Sequence, residues 1–419
     1  MAYEYVEAPI EGAKIKVIGV GGGGGNALNS IADQGIIGNV DYIAVNTDIQ
    51  ALKNSRATEK IQIGAKLTHG LGAGAKPEVG EASAIESQDE ITEAIKDADM
   101  VFITAGMGGG TGTGAAPVVA KIAHDMEKLT IAVVSKPFLF EGKKKLEKAE
   151  RGIQGLLDNV DALIVIPNQN LLGTGQKLTM KQSYALSDEV LKTDVISIAE
   201  IITRHDEINV DFADITTIIK NAGFAHMAIG HASGKDKVQD VVAQVIKSNL
   251  LDTSIAGAKR LLVNITMSED IVVDEIDELT NKITEAVDED AEIIFGNGYD
   301  SNMNDEVKVT VIAADFNGGG LVQPEEQPVL QEVPTTPAGR QPIRPTYGQT
   351  VPQGYAQQVP QGYGQAPQGY GQQVNMPAPA PTPMERGAMD QAAANQRAGV
   401  KSPGNPNYYD DIFDIFKSK

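Results

Sequence analysis

A chain of 419 residues, 42% of them apolar, has room for two domains and a tail around an ample core. Its formal net charge of −21 argues against nucleic acid or anionic lipid as a direct partner of the folded part. The lack of cysteine excludes disulfides and thiolate metal sites, and no apolar run approaches the ~20 residues of a membrane span.

The N-terminal MAYEYVEAPIEGAK has no basic region followed by an apolar one, so no signal peptide is expected, and residues 1–12 read as a flexible segment. From there to residue 178, short β-branched runs alternate with helical patterns: KIKVIGV, DYIAVNTD, DMVFITAG, TIAVVSKP and ALIVIPN. That alternation predicts an α/β domain, a Rossmann-like parallel sheet with helices on both faces. Ligands of such sheets sit outside the carboxyl ends of the strands.

Two glycine-rich stretches fall at such ends. GVGGGGGNALNS (residues 19–30) follows the strand KIKVI, and TAGMGGGTGTGAAP (residues 104–117) follows VFITA. Bare backbone N–H groups at a helix start let an anion approach closely. The two stretches are therefore read as phosphate-binding loops, with hydroxyls from Thr111 and Thr113 and a helix opening near Thr113. Gly19, Gly21 and Gly24 also fit G-x-G-x-x-G, so a dinucleotide-dependent oxidoreductase stands as an alternative. That alternative gives GGGTGTG no role, and Asp48 lies in a loop past the strand end where its ribose acid is wanted. No G-x-x-x-x-G-K-[ST] occurs, so a P-loop GTPase fits less well.

One helix is expected from about Thr179 to Arg204. Residues 205–316 then read as a smaller α/β domain with a mixed sheet, containing AHMAIGHAS, KRLLVNITM, AEIIFGNG and EVKVTVIAA around helices near 236–248 and 272–287. Residues 317–407 are Pro-, Gln- and Gly-rich with balanced charge and repeat PQGY, the composition of a disordered linker. The end, DDIFDIFKSK, clusters Ile412, Phe413, Ile415 and Phe416, so residues 408–419 read as a partner-binding peptide.

GGGTGTG, with Met107 before it and Ala115-Ala116-Pro117 after it, resembles the signature of the tubulin/FtsZ superfamily. VIGVGGGGGNA, AVNTD, GLGAGAKPEVG, KPFLFEGKKK and NVDFADI follow the same family's order over residues 14–316. Within that superfamily the likeness is to the bacterial cell-division branch. The resemblance implies a cytoskeletal GTPase that binds GTP, with Mg²⁺ held mainly by phosphates and water. It implies a cytoplasmic protein at the midcell division site, self-assembling head to tail, with no nucleic-acid partner and no direct membrane insertion. It further implies that the tail peptide recruits membrane-tethering and regulatory division proteins. A non-hydrolysing scaffold of the same fold is the other alternative.

The resemblance also implies site roles. Gly21, Gly22, Gly23, Gly24 and Gly25, with Gly108, Gly109, Gly110, Thr111, Gly112 and Thr113, would cradle phosphates. Ala73, Gly74 and Ala75 form a third small loop, and Asn46 belongs to the same set. Asn26, expected to open a helix, would reach ribose or base, and Glu141 would contact the ribose. Lys145 stands where the family commonly has Arg, so it keeps the charge and loses the planar fork. Tyr184 would stack on guanine, and Asp188 would accept from N1–H and the exocyclic amine. By spacing alone, Tyr184 and Asp188 describe only an ordinary amphipathic helix.

Catalysis follows from length once that assignment is made. From Asp188 to Asp211 the chain spans roughly 30 Å at ~1.5 Å per helical residue. Asp211, Asp214 and Asn209 would then meet the γ-phosphate of a neighbouring subunit, the two carboxylates orienting or deprotonating water. The plain reading of Asp214 is a cap on helix FADITTIIKNAG. The chain departs from the family pattern at His205-Asp206, where Pro-Gly is usual, and at Phe413, where proline is common.

Overall fold

A computed structural model describes residues 12–33, 39–174, 178–204, 207–246 and 255–316. The expectations for residues 1–11, His205-Asp206 and 317–419 lie outside the described residues.

Six strands build the first part of the sheet: β1 (Ile15–Val20), β2 (Val40–Asn46), β3 (Glu59–Gln62), β4 (Met100–Gly106), β5 (Leu129–Lys136) and β6 (Ala162–Pro167). They pair in parallel in the order β3-β2-β1-β4-β5-β6. Their helices are α1 (Gly21–Ala32), α2 (Ile49–Lys53), α3 (Ala65–Thr68), α4 (Pro77–Glu86), α5 (Gln88–Ile95), α6 (Thr111–Asp125) and α7 (Lys143–Leu157). The long α8 (Met180–Thr203) and the short α9 (Phe212–Ile219) follow. The strands read as continuous apolar runs because both faces are covered, and β1 is buried at every position. Alternate residues separate the two faces. Val17, Phe102 and Val133 pack on the side of α1 and α8, while Ile18, Ile103 and Val134 pack with α6 and α7.

The sheet continues past β6. β7 (Gly223–Ser233) pairs with β6 through two residues only, Ala162 with Gly223 and Leu163 with Phe224. α10 (Lys237–Ile246), β8 (Ala258–Met267), α11 (Val273–Thr284), β9 (Glu292–Tyr299) and β10 (Glu306–Phe316) complete the element order. β10 lies antiparallel between β7 and β8, and β9 runs parallel to β8, so this part is mixed as expected. Its own core gathers Val241, Val245, Leu261, Val263, Leu279 and Val309.

Two features of this fold position the site. First, β1 lies between β2 and β4, so the chain reverses its direction of travel across the sheet between β1 and β4. The ends of these two strands, from which α1 and α6 depart, form the crevice where such sheets bind ligands. Second, α8 is a single rod of 24 residues. It begins in a capping box, with the Thr179 hydroxyl accepting from the Gln182 N–H and the Gln182 side-chain Oε1 accepting from the Thr179 N–H.

On the central strand β4 a buried hydroxyl is left over. The Thr104 hydroxyl, on β4, is fully buried and has no hydrogen-bond partner. Thr104→Val removes the unsatisfied group at nearly constant volume, so it is expected to raise stability by about 1 kcal/mol. The check is a shift of the denaturant midpoint to higher concentration; a shift to lower concentration would contradict it.

Candidate functional site

A cleft of about 460 Å³ opens at the carboxyl ends of the parallel strands. Gly22, Gly23 and Asn26 of α1 form one side, and Gly109, Gly110, Thr111 and Gly112 another. Glu141, Lys145, Tyr184 and Asp188 line it as well, together with Ser135, Asn168 and Ser187. The two glycine-rich stretches thus meet in one cavity with the predicted base-side residues.

Glycine is required here by how closely the backbones pass. A Cβ on Gly24 would lie 2.2 Å from the Thr104 carbonyl oxygen, and one on Gly21 would lie 2.7 Å from the Gly112 nitrogen. This packing is why α1 begins at Gly21, inside the glycine run, despite the run's poor helix propensity. Asn26 therefore does not open a helix; it sits inside α1, one turn in, and still lines the cleft. Gly21, Gly25 and Asn46 line an adjoining pocket of about 210 Å³ that shares Gly22 and Asn26.

The second stretch also differs in detail. α6 starts at Thr111, two residues earlier than expected, and the Thr111 hydroxyl lies 2.7 Å from that of Thr47. Thr113 is buried, and its hydroxyl accepts from the Gly108 N–H at 2.8 Å. It holds the loop and does not line the cleft. Gly108 itself is held at φ +93° beside Lys145. Ala73 and Ala75 pack against Gly110, where an added Cβ would meet Ala73 Cβ at 2.9 Å and Ala75 Cα at 3.2 Å, and neither they nor Gly74 line the cleft. Asp48 caps α2 by accepting from the Gln50 N–H at 2.8 Å, so its carboxylate is spent locally.

Among the residues predicted to meet the base, Glu141 Oε1 accepts from the Phe138 N–H at 2.9 Å, and Oε2 pairs with Lys145. Tyr184 crosses Phe138 edge-to-face with centroids 5.3 Å apart. Burial raises the Tyr184 phenol above its ordinary value, with Glu141 adding to the effect. Burial also pushes the Asp188 carboxyl up to about 6, with Glu189 as the smaller cause.

Asn209, Asp211 and Asp214 do not line this cleft. Asp211 caps α9. Its Oδ1 accepts from the Asp214 N–H, and Asp214 Oδ2 accepts from the Asp211 N–H, both at 2.9 Å. Each carboxylate keeps a second oxygen outside this box. Among the described residues no cluster of three or more His, Asp or Glu could hold a metal ion. Also among them, no helix is long and apolar enough to cross a membrane.

Ser135, Asn168 and Ser187 were not singled out from the sequence. Ser135 and Asn168 sit at the carboxyl ends of β5 and β6, where the strand-end rule already directs attention; Ser187 adjoins Asp188 and carries no signal of its own.

Comparison with known proteins agrees with this geometry. Residues 14–176 match the GTPase domain of the Tubulin/FtsZ family, and residues 223–317 match the C-terminal domain of the FtsZ family. The chain belongs to the FtsZ family. An empty FtsZ dimer from M. jannaschii is 39% identical, with 77% of this chain and 95% of that one covered at a TM-score of 0.69. A point mutant of FtsZ from M. jannaschii is 40% identical over 74% of this chain and 95% of that one, also at 0.69. More distant in sequence is the GTPγS-bound protofilament of CetZ2 from Haloferax volcanii. It is 24% identical over 74% of this chain and 94% of that one at 0.60, a likeness of fold. As an FtsZ-family chain the protein is a tubulin-like, GTP-binding cytoskeletal GTPase of cell division.

The glycines separate stability from binding. Gly22→Ala meets no atom within 4 Å, so a helical Ala should leave the unliganded fold as stable or up to roughly 0.5–1 kcal/mol more stable. Its methyl enters the cleft and is expected to weaken nucleotide binding. Gly24→Ala should instead lower the melting temperature, because its Cβ overlaps a backbone oxygen. Equal melting temperatures for the two variants would contradict this packing.

Proposed function

We propose that the chain polymerises head to tail with GTP in the cleft, and that the loop carrying Asn209, Asp211 and Asp214 of one subunit completes the cleft of the next. The observation that carries the reading is α8. It lines the cleft at Tyr184 and Asp188 and ends 15 residues past Asp188, roughly 22 Å away, before the loop begins. In this reading the two ends of α8 serve different γ-phosphates, one in the subunit's own cleft and one in its neighbour's. A bottom-to-top contact is heterologous and open, the kind that builds filaments.

Exposed apolar residues at both places support the contact. Leu139 and Phe140, which precede the cleft residue Glu141, and Met180, the first residue of α8, are 60%, 55% and 60% exposed. Ile208 and Tyr299 are 49% and 48% exposed beside the loop, where Ile208 pairs with Asn297.

In this reading the first turns of α1 and α6 hold phosphates with free N–H groups and their dipoles. Tyr184 stacks on the base, and the Asp188 carboxylate takes the N1–H and 2-amino donors of guanine. Glu141 and Asn26 face the ribose, and Lys145 secures Glu141. The free oxygens of Asp211 and Asp214 orient the attacking water, and Asn209 helps position it. The residues present fit Mg²⁺ only as hard oxygens such as the Thr111 hydroxyl; when bound, the ion would neutralise phosphate charge in the transition state. The polymer would lie in the cytoplasm at midcell, with residues 408–419 recruiting membrane-tethering and regulatory division proteins.

Sedimentation with GTP, GDP and a non-hydrolysable analogue tests the reading. Polymer is expected with GTP and the analogue, and much less with GDP. Asp211→Asn keeps the cap acceptor of α9 while removing the charge, so it should bind GTP, assemble and release little phosphate. Full hydrolysis by that variant, or no nucleotide-dependent pelleting of the parent chain, would overturn the proposal.

The Asp188 carboxyl also sets a pH dependence. Its value is raised to about 6, so the free protein takes up a proton as pH falls through that value, and the protonated acid, with an O–H donor in place of one acceptor, no longer accepts from both guanine donors. GTP affinity is expected to fall below about pH 6, approaching tenfold per unit, and Asp188→Asn should flatten the profile. An unchanged affinity of the parent chain between about pH 7.5 and about pH 5 would contradict the contact.

A further inference from the structure

The short α9, which Asp211 caps and whose first turn carries Asp214, is held at its other end by a side chain that the reading above leaves without a role. Its apolar face, Ile215, Ile218 and Ile219, is buried in the core. Burial of that kind is non-directional, so it keeps the helix on the sheet without fixing its position along its own axis. The C-terminal end supplies that constraint. The Asn221 N–H, four residues after Thr217, donates to Asp161 Oδ1 at 3.2 Å and so does not close the helix onto the Thr217 carbonyl. The carbonyls of Thr217 and Lys220 are thereby left as the orphan acceptors of a helix end. Arg260, on β8, takes both: its Nη1 donates at 3.1 Å to Thr217 and at 2.9 Å to Lys220. Its Nε faces Asp315 Oδ2 at 3.4 Å, and the side chain is 17% exposed. A cation at this end also meets the negative pole of the helix dipole.

Taking Asp211 and Asp214 as the pair that acts on a neighbouring subunit's nucleotide, we propose that Arg260 is a positioning residue for hydrolysis. Its guanidinium ties the last carbonyls of α9 to β8 and so sets how far the two carboxylates stand out toward the next subunit. The capping box fixes Asp211 and Asp214 relative to each other, and Arg260 fixes them relative to the sheet. A helix of eight residues is only about 12 Å long, so a shift at one end arrives at the other undiminished. Asp161, directly before β6, holds the following turn from the other side. Arg260 itself does not line the cleft and has no part in binding the subunit's own nucleotide. Without it the two carbonyls turn to water, and α9 slides or tilts on its apolar face. A misplacement of about 1 Å can cost up to roughly a hundredfold in rate.

The test measures phosphate release per pelleted chain at saturating GTP, above the critical concentration, beside the GTP affinity of the dilute chain. Arg260→Met keeps the apolar stem and removes the donors. It is expected to lower release per pelleted chain about tenfold or more while GTP affinity stays within about twofold. Arg260→Lys, which keeps a cation and its donors at the helix end, should recover most of the rate. On an Asp211→Asn background, Arg260→Met should cost much less than on the parent, because residues that act as a unit are not additive. A merely structural bond predicts a lower melting temperature with release per pelleted chain unchanged, or a loss that multiplies in full onto that of Asp211→Asn. Either result, or a Lys variant no faster than the Met variant, overturns the proposal. If Arg260→Met does not fold or pellet, Arg260→Gln, which keeps one amide donor, takes its place under the same criteria. Full hydrolysis by Asp211→Asn alone would overturn the in-trans reading itself, and it is seen before any Arg260 variant is compared.

Discussion

The structure depends on how closely the starts of α1 and α6 approach each other and β4. A Cβ at Gly21 would fall within 2.7 Å of Gly112 on α6, and one at Gly23 within 3.0 Å of Gly106 at the end of β4. Two helix N-termini are thereby forced into one crevice at the reversal point of a parallel sheet. Each brings N–H groups with no partner within the helix and the positive end of a dipole. In the proposed reading the cleft would draw its phosphate affinity from these backbone groups.

The second constraint is rigidity over distance. α8 enters at the base side of the cleft and leaves after 24 residues. Its first half presents Tyr184 and Asp188, and its second half is buried through Val195, Ile198, Ala199 and Ile201. A rod packed this way fixes where the next loop begins. The proposed mechanism follows from that fixed separation: binding and hydrolysis are divided between two ends of one molecule, so assembly becomes a condition for turnover. The reciprocal capping of Asp211 and Asp214 adds a local reason for their spacing, since it holds both carboxylates before any substrate is present.

Much of this was legible in the sequence because it was written in periodicity and glycine. KIKVIGV, DMVFITAG and TIAVVSKP are the central strands, and the capping box at Thr179 opens α8 where it was expected. Other parts were hidden for physical reasons. The run from Gly21 to Gly25 reads as a loop, yet packing against Thr104 makes it helix, and that misplaced Asn26. β3 is four residues at a sheet edge, too short to show a pattern. The joining of β6 to β7 rests on two residue pairs some sixty positions apart in sequence, which no local signal records. Thr113 reads as a ligand donor because it sits among the loop glycines, but in the fold its hydroxyl accepts from the Gly108 N–H. Ser187 carried no signal because its partner, Asn168, lies 19 positions away, a contact that exists only after folding.

The central claim, that hydrolysis requires two subunits, is tested most directly by phosphate release per chain as a function of protein concentration at saturating GTP. The account predicts almost no turnover below a critical concentration and a steep rise above it, coincident with assembly. A rate per chain that stays constant on dilution, well below the point where polymer disappears, would show one subunit completing the reaction alone and would contradict it.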